Sequence, residues 1–362
     1  MTSTTANRST RPNALQAGKL PRFAELWILL GSAVVVAVPF VLMGFNFGGW
    51  VVVTAIVDVI AVGVFSTLVE NRRRAKDRVV RTVVTLAFVL AMLPLVSTLW
   101  TVVSYGIGQL NWAFISNVGQ AKFDPVTLEV THTPGALQAI VGTLIITGIA
   151  ALISIPIGIL AAVYLVEYSQ PKQLLRRVIT FLVDVMTGIP SIVAGLFAFS
   201  LAALIVGPKA FSGFSAAIAL CVLMIPIVVR ASEEMLRLVP HELREASYAL
   251  GVAKYNTITK IVLRTSFAGL VTGVVLATAR VVGETAPIFI AASFTDNFNV
   301  NPFNGPMQTL PVLAYTGYKF PGQDIAASNQ EAWGAALLLV IIVIIFNLIA
   351  RLVARYFAPK SR

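Results

Sequence analysis

Long apolar runs alternate with short polar segments along the whole chain. Eight runs stand out, at about residues 26–45, 50–69, 80–104, 136–166, 179–206, 214–231, 265–294 and 332–357. Each reaches the roughly 18 apolar residues that a helix needs to cross a bilayer. The pattern predicts an all-α, polytopic transmembrane helical bundle. The first run exceeds a typical signal-peptide core and no small-x-small cleavage site follows it, so it reads as a span. Prolines within the runs include Pro156 in the fourth, Pro190 within Gly188-Ile-Pro-Ser191 in the fifth, and Pro226 in the sixth. Pro190 removes a helical hydrogen bond and is expected to kink its span.

The polar segments orient the bundle. Glu70-Asn-Arg-Arg-Arg-Ala-Lys-Asp-Arg-Val-Val-Arg81, between the second and third runs, holds six basic residues against two acidic ones. Such clusters mark the cytoplasmic side. Residues 1–25, with Arg8, Arg11, Lys19 and Arg22, read as a disordered basic tail on that side. Lys172, Arg176 and Arg177 follow the fourth run, residues 232–264 are rich in both charges, and Arg351, Arg355, Lys360 and Arg362 end the chain. The alternate segments are poor in Lys and Arg: 105–135 holds only Lys122, and 295–330 only Lys319. Eight spans with both termini cytoplasmic follow.

Composition agrees with this class. The chain is 57% hydrophobic and 12% charged, with a mean hydropathy of +0.85. Its net charge of +11 sits at the ends of apolar runs, which points to the membrane and its lipid and away from nucleic acid. The single cysteine, Cys221, has no intrachain partner for a disulfide.

Enzymatic chemistry finds little support. No GxxxxGK[ST] motif is present to cradle nucleotide phosphates. His132 and His241 fall on opposite sides of the predicted membrane and do not form a metal-ligand pattern. No Ser-His or Asp-Asp pair lies within an apolar run, as an intramembrane hydrolase requires. Transport or anchoring remains.

Residues 240–251 then become informative. Pro240 suits a first helical turn, Glu242 favours the positive end of the helix dipole, and Gly251 suits a left-handed C-terminal cap. Leu243, Ala246 and Leu250 form one apolar stripe, while Ala246, Ser247 and Ala249 are small enough for close approach of another backbone. On residues alone, this is either an ordinary amphipathic linker or a docking helix.

Glu245-Ala246-Ser247, three residues, Gly251, nine residues and Ile261-Val262-Leu263 resemble the EAA loop of ABC importer permeases. In that family the loop forms a coupling helix seated in a groove of the ATPase subunit. Glu242, Glu245, Ala246, Ser247 and Gly251 are therefore the expected ATPase-coupling residues. Two positions depart from the family pattern. Ser247 replaces the second Ala, and Arg264 stands where the motif usually has Pro, so the entry into the next helix is expected to differ in angle.

Ile225-Pro-Ile-Val-Val-Arg230, Leu238 to Gly251 and Ala279-Arg-Val-Val-Gly-Glu-Thr-Ala-Pro287 are similar to the PstA-type branch of this family, as are Gly142-Thr143 and Gly188-Ile-Pro-Ser191. The likeness runs over about residues 80–356. It implies a type I ABC importer permease core of six helices over 79–358, with the coupling segment 232–264, preceded by an N-terminal hairpin and basic loop over 26–78. It also implies inorganic phosphate as cargo and the bacterial inner membrane as location. The implied partners are a PstC-type permease, a PstB-type ATPase dimer that binds ATP and Mg, and a PstS-type phosphate-binding protein. No cofactor is expected in this chain itself.

Charged residues inside apolar runs are costly and therefore informative. Arg280 and Glu284 stand four apart in the seventh run, where they either pair with each other structurally or face an anion path. Arg suits phosphate because its planar fork donates two parallel hydrogen bonds and stays charged. Arg230, near the inner end of the sixth run, is a third substrate-path candidate, with snorkelling to the interface an equal explanation. Asp58 and Asp184 read as near-interface or helix-packing groups. Two rival functions stay open: a permease for another anion, and a secondary transporter driven by an ion gradient. The second is disfavoured by the EAA-like loop and by the lack of an internal repeat. A scaffold without transport would leave Arg280 and Glu284 without a role.

Overall fold

In the computed structural model, the described residues are 20–21, 23–123, 130–207, 210–322 and 324–357. The basic tail residues Arg8, Arg11, Lys19 and Arg22, and Lys360 and Arg362 at the other end, lie outside them. The chain divides into two compact units, residues 1–100 and 101–362. Among the described residues, seven helices are long and apolar enough to cross a membrane, or up to eight if one sharply bent pair counts as a single span.

The first unit is built on α1 (Ala24–Met43), α2 (Phe47–Val69) and most of α3 (Arg72–Gly106). The chain turns from α1 into α2 over residues 44–46. Gly44 adopts φ +96°, and the Asn46 side chain accepts from the Gly49 N–H at 3.2 Å, capping α2. The basic segment is helical from Arg72 onward, because its Arg, Lys and Ala residues are good helix formers and continue into the apolar run. Arg78 binds Glu25 at 2.9 Å and Glu70 at 2.7 Å, and Arg81 also binds Glu25. The Arg78 guanidinium, aided by Leu20 N–H and Ser66 hydroxyl, holds the Glu70 carboxyl down at about 2.

The second unit begins with a 3-10 turn (Ile107–Gln109) and α4 (Trp112–Ser116). The stretch expected to be a polar loop then forms two antiparallel strands, β1 (Val118–Phe123) and β2 (Val130–Ala136), with an irregularity between Val118 and Gln120. Next come α5 (Leu137–Val163), which ends in a π-helical turn (Tyr164–Tyr168), α6 (Leu174–Gly188), α7 (Ser191–Val206) and α8 (Gly213–Arg237). The short helices α9 (His241–Ala249) and α10 (Lys254–Thr257) lead through a second π turn (Ile258–Val262) into α11 (Leu263–Val282). Arg264 is helical and exposed, so the path enters α11 without a proline break. The chain closes with α12 (Ala286–Ala292), α13 (Leu310–Lys319) and α14 (Ile325–Phe357).

Helix α8 is the centre of this unit, with α5, α6, α7, α11 and α12 packed around it. Small residues allow the approach. Ala150 on α5 and Ala216, Ala217 and Ala219 on α8 are fully buried in one cluster with Leu220, Met224 and Val228. The Gly142-Thr143 pair joins α5 to α13. A Cβ at Gly142 would lie 2.0 Å from the Gln308 carbonyl oxygen, and Thr143 Oγ1 accepts from Leu310 N–H at 2.9 Å. Large apolar side chains on α1, α2, α3 and α14 point outward, among them Leu42, Leu68, Trp100 and Leu352. This outward apolar surface suits lipid.

Two predicted spans are broken. The fifth run is two helices, α6 and α7, set at 109° across Ile189-Pro190, so Pro190 does more than kink it. The seventh run stops at Val282 instead of continuing to residue 294. In a continuous helix the Pro287 ring would clash with the carbonyl of residue 283, four positions back, and position 283 is glycine. The chain leaves the helix there and restarts at Ala286, with Pro287 in the first turn of α12.

Candidate functional site

The two breaks face one another across α8. A cavity of about 210 Å³ lies between them, lined by Thr187, Ile189 and Ser191 at the α6–α7 break, Pro226 and neighbours on α8, and Arg280 and Glu284 at the α11–α12 break. The volume is an order of magnitude above the ~10–15 Å³ that admits one water. Pro226 lies near the middle of α8, which places the cavity about half-way along a spanning helix. Gly195 on α7 sets the neighbouring wall: a Cβ there would stand 2.8 Å from Pro287 Cα.

Arg280 is in the last turn of α11, while Glu284 lies in the non-helical link. The expectation that both stand on one helix therefore fails, because Gly283 and Pro287 end that helix between them. Among the described residues neither side chain makes an ion pair or a hydrogen bond. Arg280 is exposed and Glu284 half-buried. The cavity thus holds a guanidinium with unused donors, a carboxylate, and the hydroxyls of Thr187 and Ser191, beside apolar side chains such as Leu223 and Ile227.

Arg230 is placed differently. One turn beyond Pro226 on α8, it pairs with Asp184 on α6 and with Glu233 at 2.9 Å, and Glu233 also pairs with Arg237. It is not among the residues lining the cavity. Asp184 is accordingly a helix-packing group. Asp58 lies at the middle of α2 and is only 3% exposed, the position of a helix-packing group.

The segment between α8 and α11 has an inverted amphipathic character. Glu242, Leu243, Glu245, Ala246 and Leu250 on α9 are exposed, whereas the polar Arg244 and Ser247 are buried. Leu250 is 83% exposed, so the apolar stripe faces away from this chain. Gly251 has φ +71°, and Gly251 N–H and Val252 N–H reach back to the Tyr248 and Ser247 carbonyls at 2.9 and 3.2 Å. That is a Schellman closure, as the sequence pattern predicts.

Sequence reasoning missed what holds α9 in place. Arg244 donates to Glu167 from Nε and Nη2 at 3.1 and 2.7 Å, and to the carbonyls of Leu236, Val239 and Pro240. Ser247, expected on the docking face, turns inward to share a hydrogen bond of 2.8 Å with Thr257. Glu167 lies inside the first π turn and Thr257 directly precedes the second. The i, i+3 spacing of Arg244 and Ser247 is the signal the sequence offers, but a partner 77 positions away is invisible to local periodicity.

Residues 154–362 match the family described as binding-protein-dependent transport system inner membrane component. Over 294 residues the chain is 44% identical to the phosphate transport system permease protein PstA 1 of Mycobacterium tuberculosis (strain H37Rv), covering 80% of this chain and 91% of that protein. It is 37% identical to PstA of Pasteurella multocida over 294 residues, 80% of this chain and 97% of the relative. Identity to PstA of Yersinia pestis is 36% over 311 residues, 82% of this chain and 97% of the relative. The chain, with its apolar helices and broken spans around α8, belongs to the PstA family of phosphate transport system permeases.

Proposed function

We propose that this chain is the membrane-spanning permease subunit of an ATP-driven importer that passes inorganic phosphate into the cell. The observation that carries the reading is its 36–44% identity to phosphate transport permeases over nine-tenths or more of their length. The chain supplies the path, and a separate PstB-type ATPase dimer binds ATP and Mg. A PstC-type permease completes the heterodimer, and a PstS-type protein delivers phosphate from outside. The subunit sits in the bacterial inner membrane with eight spans, the α6–α7 pair counting as one, and both termini are cytoplasmic. Residues 1–25 form the tail, 26–78 the accessory hairpin and loop, and 79–358 the permease core with its coupling segment 232–264.

Within this reading the cavity bearing Arg280 and Glu284 is part of the phosphate path. Arg280 has its donors free to form a bidentate contact with two phosphate oxygens. Glu284 repels the anion and, unpaired with Arg280, is placed to meet a basic group of the partner permease. Arg230 acts at one remove, by fixing α6 to α8 below the cavity.

The outward face of α9, with Glu242, Glu245, Ala246 and Leu250, seats in the ATPase. Its inward face, Arg244 and Ser247, passes displacement to the π turns that end α5 and precede α11. Such turns are common at functional sites, and α11 carries Arg280 at its far end. ATPase closure thereby moves α9 as a lever and switches access to the cavity.

Copurification of a Walker-type ATPase, followed by uptake in vesicles holding the purified complex, tests this reading. Uptake of labelled phosphate should require ATP, stop with vanadate and resist excess sulfate. Equal competition by sulfate would transfer the path to another anion, and uptake without ATP would favour an ion-gradient carrier.

A further inference from the structure

Arg74, Arg78 and Arg81 stand at i, i+4 and i+7 on α3, so they share one face of that helix. With Asp77 and Pro21 they line a cavity of about 490 Å³ at the charged end of the hairpin. The three guanidinium groups are used differently. Arg78 donates from Nε and Nη2 to Glu70 at 2.7 and 3.0 Å, and from Nη1 to Glu25 at 2.9 Å, so all three of its nitrogens are engaged. Arg81 engages Nη2 alone, with Glu25. Arg74 and Asp77 make no ion pair or hydrogen bond among the described residues. Arg78 is therefore the frame of the cavity, while Arg74 and Arg81 keep donors free for an anion. Arg72, Arg73 and Lys76 are exposed beside them, so six basic residues stand against three carboxylates, those of Glu25, Glu70 and Asp77.

The rim of this cavity is apolar. Glu25, which holds Arg78 and Arg81, is followed directly by Leu26 and Trp27 on α1, and Val80 directly precedes Arg81 on α3. Leu26, Trp27, Val80 and Val84 are each more than half exposed. A tryptophan at this level suits the membrane–water boundary, and the aliphatic side chains beyond it suit hydrocarbon. A free phosphate or a nucleotide would use the guanidinium groups and leave the apolar rim in water. A phospholipid uses both. Its phosphodiester accepts from Arg74 and Arg81, and its acyl chains cover the exposed sides of α1 and α3. Asp77 repels a bare phosphate but accepts from a hydroxyl next to one, so it favours a headgroup that carries hydroxyls.

We propose that this cavity binds an anionic glycerophospholipid with a hydroxylated headgroup, of which phosphatidylglycerol is the simplest, held by Arg74 and Arg81 and selected by Asp77. The assignment rests on the cytoplasmic placement of this end of the hairpin and is independent of the phosphate path. It gives the hairpin a task that the path does not require, fixing the subunit to the charged inner leaflet.

Native mass spectrometry of the purified, delipidated complex, titrated with phosphatidylglycerol or phosphatidylcholine, reads bound lipid directly. Wild type should bind phosphatidylglycerol the more tightly. Arg74→Gln should weaken that binding roughly fivefold, and Arg74→Gln with Arg81→Gln roughly thirtyfold. Arg81 also holds Glu25, so if the pair does not assemble, Arg74→Gln decides, because it breaks no contact among the described residues. Asp77→Ala should reduce the preference for phosphatidylglycerol over phosphatidic acid, which lacks the headgroup hydroxyls; an unchanged preference would overturn the selecting role of Asp77. Unchanged affinity for phosphatidylglycerol in Arg74→Gln, or equal affinity of wild type for the two titrated lipids, would overturn the site. Displacement of the lipid by inorganic phosphate but not by chloride at equal ionic strength would make it a site for free phosphate and overturn the lipid assignment.

Discussion

Arg244 and Glu167, 77 positions apart, meet at 2.7 Å with side chains 10% and 5% exposed. This contact anchors a short helix whose apolar stripe has no cover of its own. Three backbone carbonyls share the same guanidinium, so α9 is held rigidly on one face and open on the other. A lever requires that combination: a firm joint toward the bundle and a free surface toward whatever pushes it.

Breaking this joint should be costly. Removing one partner of a buried ion pair leaves an uncompensated charge, worth about 3–5 kcal/mol. Arg244→Met and Glu167→Gln are each expected to lower the thermal stability and yield of the purified complex. Arg244→Lys should rescue little, because one ammonium cannot reproduce the fork and its carbonyl contacts. The apolar pair Arg244→Met with Glu167→Leu should recover much of the stability while substrate-stimulated ATP hydrolysis stays low. Full stimulation in that double variant would show that the joint carries no coupling.

The outer face of α9 predicts the opposite balance. Glu245 is exposed, so Glu245→Lys should leave stability nearly unchanged and reduce stimulated ATP hydrolysis. Gly251→Val meets open space but must adopt φ +71°, a left-handed conformation costing roughly 1–2 kcal/mol. It should reduce stimulation with only a modest loss of yield. Normal stimulation in both would remove α9 from the coupling role.

Much of this helix was legible beforehand. Pro240, Glu242 and Gly251 announced its start and end, and the Leu243–Ala246–Leu250 stripe announced an apolar face. What local pattern could not show was which face turns inward, since burying Arg244 depends on Glu167 in a different helix. The broken seventh span was missed for a related reason. Gly283 and Pro287 lie in an apolar run long enough to span, and run length alone hides the clash between a proline and the carbonyl four residues back. Asp58 fits the helix-packing half of its reading, and its central position in the second run is countable from the sequence. The strands Val118–Phe123 and Val130–Ala136 were hidden by the polarity of their segment; buried Glu331, which accepts from Gly135 N–H at 3.1 Å, fixes the second of them from far along the chain.

The acid stability of the hairpin should reflect Glu70. Its carboxyl ordinarily titrates near 4.5 and is held at about 2 in the fold. A group whose folded value is depressed stabilises fully above the unfolded value, and that contribution fades as pH falls toward the folded one. Wild-type hairpin stability, followed by thermal unfolding, should therefore be insensitive to Glu70 between pH 6 and 8 and should decline between about pH 4.5 and 2. Glu70→Gln should be less stable at pH 7, and its difference from wild type should shrink across that acidic window. A difference that is constant with pH would contradict the assignment.

Deleting residues 2–70 removes Glu25 and Glu70 but keeps the basic residues 72–81. The unpaired Arg78 and Arg81 then strengthen the positive cytoplasmic start. Insertion of the remaining spans should be preserved, and phosphate uptake should fall modestly if at all. Loss of all uptake in a stably expressed truncation would place the hairpin within the transport core.

The most direct test concerns Arg280 and Glu284. They share one cavity without an ion pair between them, so replacing both should not behave as removal of a structural pair. Phosphate uptake by the reconstituted complex should be abolished in Arg280→Gln and in the double variant Arg280→Gln, Glu284→Gln, with complex yield near wild type. Arg280→Lys should retain partial uptake at most, because the charge remains and the bidentate fork is lost. Recovery of uptake in the double variant relative to Arg280→Gln alone would contradict a phosphate path through this cavity.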